Sequence, residues 1–87
     1  MSDVSQRLRR LIESQYPETG SASEVVRMVG EASDTERVQA AIVFAASGNL
    51  TELRRQTHLA GVDWRDVLVN GGLEHEDWRE VLDGRLG

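Results

Sequence analysis

Glycines divide this chain into short segments, and the residues that follow them constrain the fold most strongly. Glycine is frequent just beyond the last turn of a helix because it adopts the left-handed conformation at no steric cost. After most of these glycines, a short polar residue is followed three positions later by an acid, a pairing that caps helix N-termini. These pairs are Ser21/Glu24, Ser33/Glu36, Asn49/Glu52, Asp63/Asp66 and Asp77/Glu80. The repeated order predicts a succession of short helices.

The segments between the breaks have lengths and patterns typical of helices rather than strands. The predicted helices cover residues of about 3–15, 22–29, 34–46, 50–60, 64–70 and 76–83. No stretch alternates polar and apolar residues with the period of a strand. Isolated helices of this length are marginal in water, so they must stabilise one another by packing. We therefore expect an all-α fold, in which residues 1–87 form a compact single-domain bundle of five to six short helices.

The third predicted helix, at about 34–46, differs from the others because it is apolar on nearly every face. Its main stripe consists of Val38, Ala41, Ile42 and Ala45. Val43 and Phe44 lie outside that stripe, and a helix that is apolar all round is a buried one. This pattern places the third helix at the centre of the bundle, with Phe44 in the core.

Composition excludes several classes of function. The 87 residues include 15 acids and ten basic residues, all arginine, for a net charge of −5, and no cysteine. This charge has the wrong sign for binding nucleic acid or an anionic membrane. The longest apolar run, at 40–46, is far shorter than the ~20 residues that span a bilayer. We expect a cytoplasmic protein that contacts neither membrane nor nucleic acid, and no disulfide or thiolate chemistry.

The sequence contains few residues of the types that take part in catalysis. The two histidines, His58 and His75, have no nucleophile partner or metal-ligand spacing around them. The Gly71-Gly72 pair lacks the strand and lysine of a phosphate-binding loop. We therefore expect no enzymatic activity, no cofactor and no metal. A small-ligand-binding or enzymatic domain, with carboxylates brought together by the fold, stays open as an alternative.

The C-terminal third contains a six-residue sequence pattern that occurs twice. The block Asp63-Trp64-Arg65-Asp66-Val67-Leu68 recurs as Asp77-Trp78-Arg79-Glu80-Val81-Leu82. Each copy has a cap residue, an aromatic in the first turn and an apolar pair for the core. The favoured interpretation is that each indole packs over a helix end. The alternative is that Trp64 and Trp78 form a recognition face, since tryptophan is frequent at interface hot spots.

The acidity is concentrated in the same region. Residues 62–87 hold seven acids and three arginines. Glu76, Asp77 and Glu80 belong to this group, and some of its acids serve as helix caps and surface charges. The leading hypothesis is a non-catalytic protein-protein interaction module that uses the acidic C-terminal helices with Trp64 and Trp78. The alternative is a nucleic-acid mimic or inhibitor of a basic partner.

Two further features of the fourth predicted helix bear on binding. Arg54 and Arg55, with His58, form a basic patch that could hold an anion, although a solvated helix face is the default. Leu59 lies opposite the apolar stripe of this helix and offers a contact for self-association. Both remain candidate interaction residues.

Several blocks resemble a group of small, uncharacterised helical proteins of bacteria with high-GC genomes. The most specific is Asp63-Trp64-Arg65-Asp66-Val67-Leu68, preceded by Arg37-Val38-Gln39-Ala40-Ala41-Ile42 and followed by Gly71-Gly72-Leu73. The resemblance covers about 36–87 and implies a compact α-helical fold in a bacterial protein, with no implied activity.

Residues 45–63 also resemble the helix pair of an ankyrin repeat. A single copy without the Thr-Pro-Leu-His opening indicates convergent helix-hairpin chemistry instead.

Overall fold

Residues 3–18 and 20–87, the part of the chain that the computed structural model describes, form six α-helices and no strand. The helices are α1 (Gln6–Gln15), α2 (Ser21–Ala32), α3 (Glu36–Ala46), α4 (Leu50–Val62), α5 (Trp64–Gly71) and α6 (Trp78–Leu86). Asp63 alone separates α4 from α5. The all-α prediction and the number of helices are confirmed.

The third helix lies at the centre, as its apolar pattern predicted. α3 packs against all five other helices, most extensively against α5 and α4. Eight of its 11 residues are buried, and its alanines allow the neighbouring helices to approach closely. Phe44 is 5% exposed, and the Arg85 guanidinium lies 3.7 Å from its ring centroid. The aromatic ring is therefore in the core, close enough to the surface to meet a charged side chain.

Two of the predicted helix caps are present. The Asn49 side chain accepts a hydrogen bond from the backbone N–H of Glu52 at 2.9 Å, at the start of α4. Asp63 accepts from the N–H of Arg65 at 3.1 Å, so it caps the second rather than the third residue of α5. Both side chains satisfy backbone donors that have no partner inside the helix.

The other three predicted caps were wrong in detail. Gly20, in the left-handed conformation, precedes α2 in place of Ser21, which is already helical. Thr35 caps α3 by accepting from the N–H of Val38, whereas Ser33 ends α2. Asp77 is at the N-cap of α6, but its side chain makes no capping hydrogen bond. The polar residues lie at the expected breaks, and their exact partners depend on how each helix enters the bundle.

Three glycines that were expected to end helices lie inside them. Gly30, Gly61 and Gly84 are helical residues of α2, α4 and α6. A glycine inside a helix costs about 1 kcal/mol relative to alanine. Beyond Gly30, Ala32 packs against the core and offsets that cost, so α2 extends beyond its predicted end. α4 also extends beyond its predicted end, although Gly61 and Val62 are exposed.

An arginine-centred cluster joins the ends of three helices. Arg7 of α1 donates from Nε and Nη2 to the two carboxylate oxygens of Glu36, at 2.9 and 2.6 Å. Its Nη1 contacts Asp83 of α6 at 2.7 Å, and the Ser5 hydroxyl also donates to Glu36. The hydrogen bonds from Arg7 hold the pKa of the Glu36 carboxyl below its usual range. The cluster ties the start of α1 to the start of α3 and to α6.

Among the described residues, no helix is both long and apolar enough to cross a lipid bilayer.

Candidate protein-binding groove

The two tryptophans occupy equivalent positions at the starts of the last two helices. Trp64 is the first residue of α5 and Trp78 is the first residue of α6. Although they are separated by 14 positions in the chain, both indoles line one groove of about 530 Å³. The other lining residues come from the α2–α3 connection, the start of α3 and the end of α4: Ala32, Ser33, Asp34, Thr35, Arg37, Val38 and Ala60. We call this surface the tryptophan groove.

The two indoles differ in exposure. Trp78 is partly buried and packs against the core. Trp64 is 49% exposed and is one of three large apolar side chains among the described residues that are open to solvent. The expectation that both indoles pack over helix ends therefore holds in part for Trp78, whereas Trp64 leaves half of its surface free for contact.

Arg37, a residue that the sequence did not single out, holds one wall of the groove in place. Its guanidinium donates from Nε and Nη2 to the carbonyl oxygen of Leu73, at 3.0 and 2.8 Å. The same guanidinium lies 4.7 Å from the ring centroid of Trp78, within the range of cation–π attraction. Arg37 thus connects α3 to the loop that precedes α6 and to the first residue of α6.

No local pattern could have identified Arg37 as a groove residue. It lies in the first turn of α3, where a solvated arginine is unremarkable in sequence. Its partners, Leu73 and Trp78, are 36 and 41 positions away. Only the fold brings them within reach.

The small polar groups of the groove bond to one another. The hydroxyls of Ser33 and Thr35 lie 3.3 Å apart, and Ser33 also accepts from the Thr35 N–H at 3.2 Å. The Arg37 donors reach the Leu73 carbonyl, as described above. A site for a small polar ligand typically presents several converging polar groups. Here the indoles, Val38 and the alanines form the contact surface.

The acidic residues named from the sequence flank Trp78. Glu76, Asp77 and Glu80 are exposed at and around the N-terminus of α6. In the described part of the chain, none of the three forms an ion pair or a side-chain hydrogen bond. The arginines of the same region contact aromatic rings instead. The guanidiniums of Arg65 and Arg79 lie 5.5 and 5.0 Å from the ring centroids of Trp64 and Trp78.

Arg54 and Arg55 are not part of the tryptophan groove. They line a separate open surface on the outward side of α4, with His58, Leu59 and Val62. Arg55 pairs with Glu52 at 3.2 Å, one helical turn away. The fold therefore separates the basic candidate residues from the acidic and aromatic ones.

Leu59 is partly buried. It packs against the core and also lines the open surface of α4. Val62 at the end of α4 and Val69 of α5 are more exposed apolar side chains. Self-association through Leu59 stays a prediction.

Comparisons with known proteins leave the resemblance noted above as a prediction. The chain matches no protein-family model, no curated protein and no solved structure. Among the described residues, no group of three or more His, Asp or Glu side chains is arranged to hold a metal ion.

Proposed function

We propose that this protein is a non-catalytic binding module that docks a protein partner in the tryptophan groove. The observation that carries the proposal is that Trp64, half exposed, and Trp78, fixed by Arg37, wall one groove although they belong to different helices. Tryptophans in the centre of a contact surface supply much of the binding energy of protein interfaces. A fixed indole also loses little conformational freedom when a partner binds.

The size of the surface is compatible with such a role. A standard interface covers about 800 Å² per partner, which is roughly 15% of the 5251 Å² accessible surface of the described chain. The groove takes Trp78 from the start of α6, where Glu76, Asp77 and Glu80 are also exposed. A partner segment of one or two turns of helix is short enough to fill the groove while its ends contact the surrounding charges.

The proposal is tested by site-specific cross-linking in the native host. A photoreactive benzoyl-phenylalanine replaces Arg65, the exposed neighbour of Trp64, in one protein and Glu13, an exposed residue of α1, in the control, so that both proteins keep the two tryptophans. We expect a discrete protein adduct from position 65 that is missing from position 13. Identical adducts from the two positions, or none from position 65, would show that the groove is not the binding surface.

A further inference from the structure

The charges around the tryptophan groove indicate what kind of partner it fits. Glu76, Asp77 and Glu80 flank Trp78 along the chain, and all three are exposed. Asp77, at the N-cap of α6, makes no capping hydrogen bond, and Glu80 lies in the first turn of the helix. None of the three acids pairs with a described arginine, in contrast to Glu36 and Asp83, which pair with Arg7.

The positive charges of the same region are held on aromatic rings. Arg65, Arg79 and Arg85 lie over Trp64, Trp78 and Phe44, respectively. Stacking keeps each guanidinium against its ring, and none of the three forms an ion pair with a described acid. With seven acids against three arginines, residues 62–87 carry a surplus of negative charge, and the same segment supplies Trp64 and Trp78 to the groove.

We infer, on the basis of the proposed function, that the partner segment carries an apolar anchor residue flanked by arginine or lysine. The anchor would lie between the indoles, over Val38 and Ala60. The flanking basic side chains would face Glu76, Asp77 and Glu80. Complementary charges of this kind speed association and exclude partners of the wrong sign. A nucleic acid is excluded as the occupant because its phosphates would meet the same carboxylates.

A second copy of this chain is a less suitable occupant than a basic partner. Each copy has a net charge of −5, so two copies repel one another at low salt. The basic surface of α4 is narrow, and Arg55 there is already paired with Glu52.

The inference is tested by selecting peptides from a random 12-residue library displayed on phage. The bait is the full-length protein, and peptides that also bind the Trp64→Ala variant are removed. We expect the selected peptides to combine an apolar residue with neighbouring arginine or lysine. Their affinity is then measured by fluorescence anisotropy at low and at physiological salt, and we expect it to fall as salt rises.

Two matched variants distinguish the effect of the acids around Trp78 from the effect of the protein's net charge on peptide binding. One carries Glu76→Gln, Asp77→Asn and Glu80→Gln, and the other carries Asp3→Asn, Glu13→Gln and Glu18→Gln, all at exposed positions. Both remove three negative charges. We expect the first to weaken peptide binding by about tenfold, as three surface charge pairs would, and the second to change it little.

Each other result has a distinct meaning. Selected peptides that require Trp64 but are neutral or acidic would overturn the basic partner and leave the proposed function intact. Failure to enrich any peptide that distinguishes the protein from Trp64→Ala would overturn the proposed function itself. Trp64-dependent dimerisation of the protein alone, seen by sedimentation, would identify a second copy as the occupant and overturn the inference.

Discussion

At the scale of single residues, a close approach of two helix backbones involves Gly71, the last residue of α5. A Cβ built on Gly71 would lie 2.5 Å from the carbonyl oxygen of Ala41 and 2.6 Å from its Cα. Both are backbone atoms of α3, so no side-chain rotation relieves the overlap. Glycine is needed here because the two helix backbones touch, and this contact belongs to the most extensive helix pair in the molecule.

We expect Gly71→Ala to lower the free energy of unfolding by about 1–3 kcal/mol, as overpacking in a core does. The matched control is Gly61→Ala in α4, where a Cβ meets no atom within 4 Å. That change should raise stability by about 0.5–1 kcal/mol through helix propensity and a less flexible unfolded chain. Denaturant unfolding of the two variants measures both effects. A Gly71→Ala protein as stable as Gly61→Ala would contradict the close contact.

At the scale of elements, α6 is attached to the rest of the bundle differently from the other helices. Within α6, Leu82 is the one buried residue. Trp78, Val81 and Leu86 are partly buried and also pack against the core. Three arginine contacts add to this packing: Arg7 on Asp83, Arg37 on Trp78 and Arg85 on Phe44. Because α6 supplies Trp78 to the groove, the Arg7 cluster supports the proposed binding surface from the opposite end of the helix.

The Arg7 cluster predicts an acid-sensitive stability. Because the hydrogen bonds from Arg7 lower the pKa of Glu36 in the folded state, the stabilisation is fully present above the unfolded pKa of about 4.3. The stabilisation is lost as the pH falls through the lower pKa that Glu36 has in the folded state. We expect Glu36→Gln to reduce the free energy of unfolding by about 1 kcal/mol near neutral pH, and the difference from the parent to shrink toward about pH 3.

Glu24→Gln is the control for this experiment. The pKa of Glu24 is also lowered by its hydrogen bond to Arg27, but this pair is exposed on α2. Exposed ion pairs contribute little to stability. We therefore expect the free energy of unfolding of Glu24→Gln to depend on pH almost as that of the parent does. Urea unfolding across the acidic range provides the comparison. If the difference in unfolding free energy between Glu36→Gln and the parent stays constant with pH, the Arg7 cluster is not the source of the acid sensitivity.

At the scale of the whole molecule, six short helices share one hydrophobic core. Each helix contributes at least one buried residue to it, and the helices range from 8 to 13 residues. None is long enough to be stable alone in water. The molecule is therefore expected to unfold as a unit, although the core of α6 is small.

Trp78 offers a direct probe of this cooperativity. In a Trp64→Phe variant, Trp78 is the single remaining indole, and it lies where α6 meets α3. We expect its fluorescence to change in the same denaturant range as the helical circular dichroism signal, as two-state unfolding requires. A fluorescence transition at lower denaturant would show that α6 separates from the bundle before the other helices unfold.

Much of the fold follows from the sequence because helix formation and burial are encoded by neighbouring residues. The apolar faces of 36–46 identify the central helix, and Asn49 and Asp63 mark helix starts. The same local reasoning fails at Gly30, Gly61 and Gly84, where it predicts helix ends. Beyond Gly30 and Gly84, Ala32 and Leu86 pack against the core and offset the cost of a helical glycine, whereas Gly61 and Val62 are exposed at the end of α4.

The sequence by itself determined the all-α class, the six helices, the central α3 and the first-turn position of each tryptophan. The tertiary structure alone decided that Trp64 and Trp78 line one groove and that Arg37 bonds to the loop before Trp78. It also decided that Arg54 and Arg55 of α4 lie on a different surface. The physical reason is that helix periodicity depends on residues three or four apart. The meeting of two helix starts depends on how the helices cross, which here involves the backbone contact between Gly71 and Ala41.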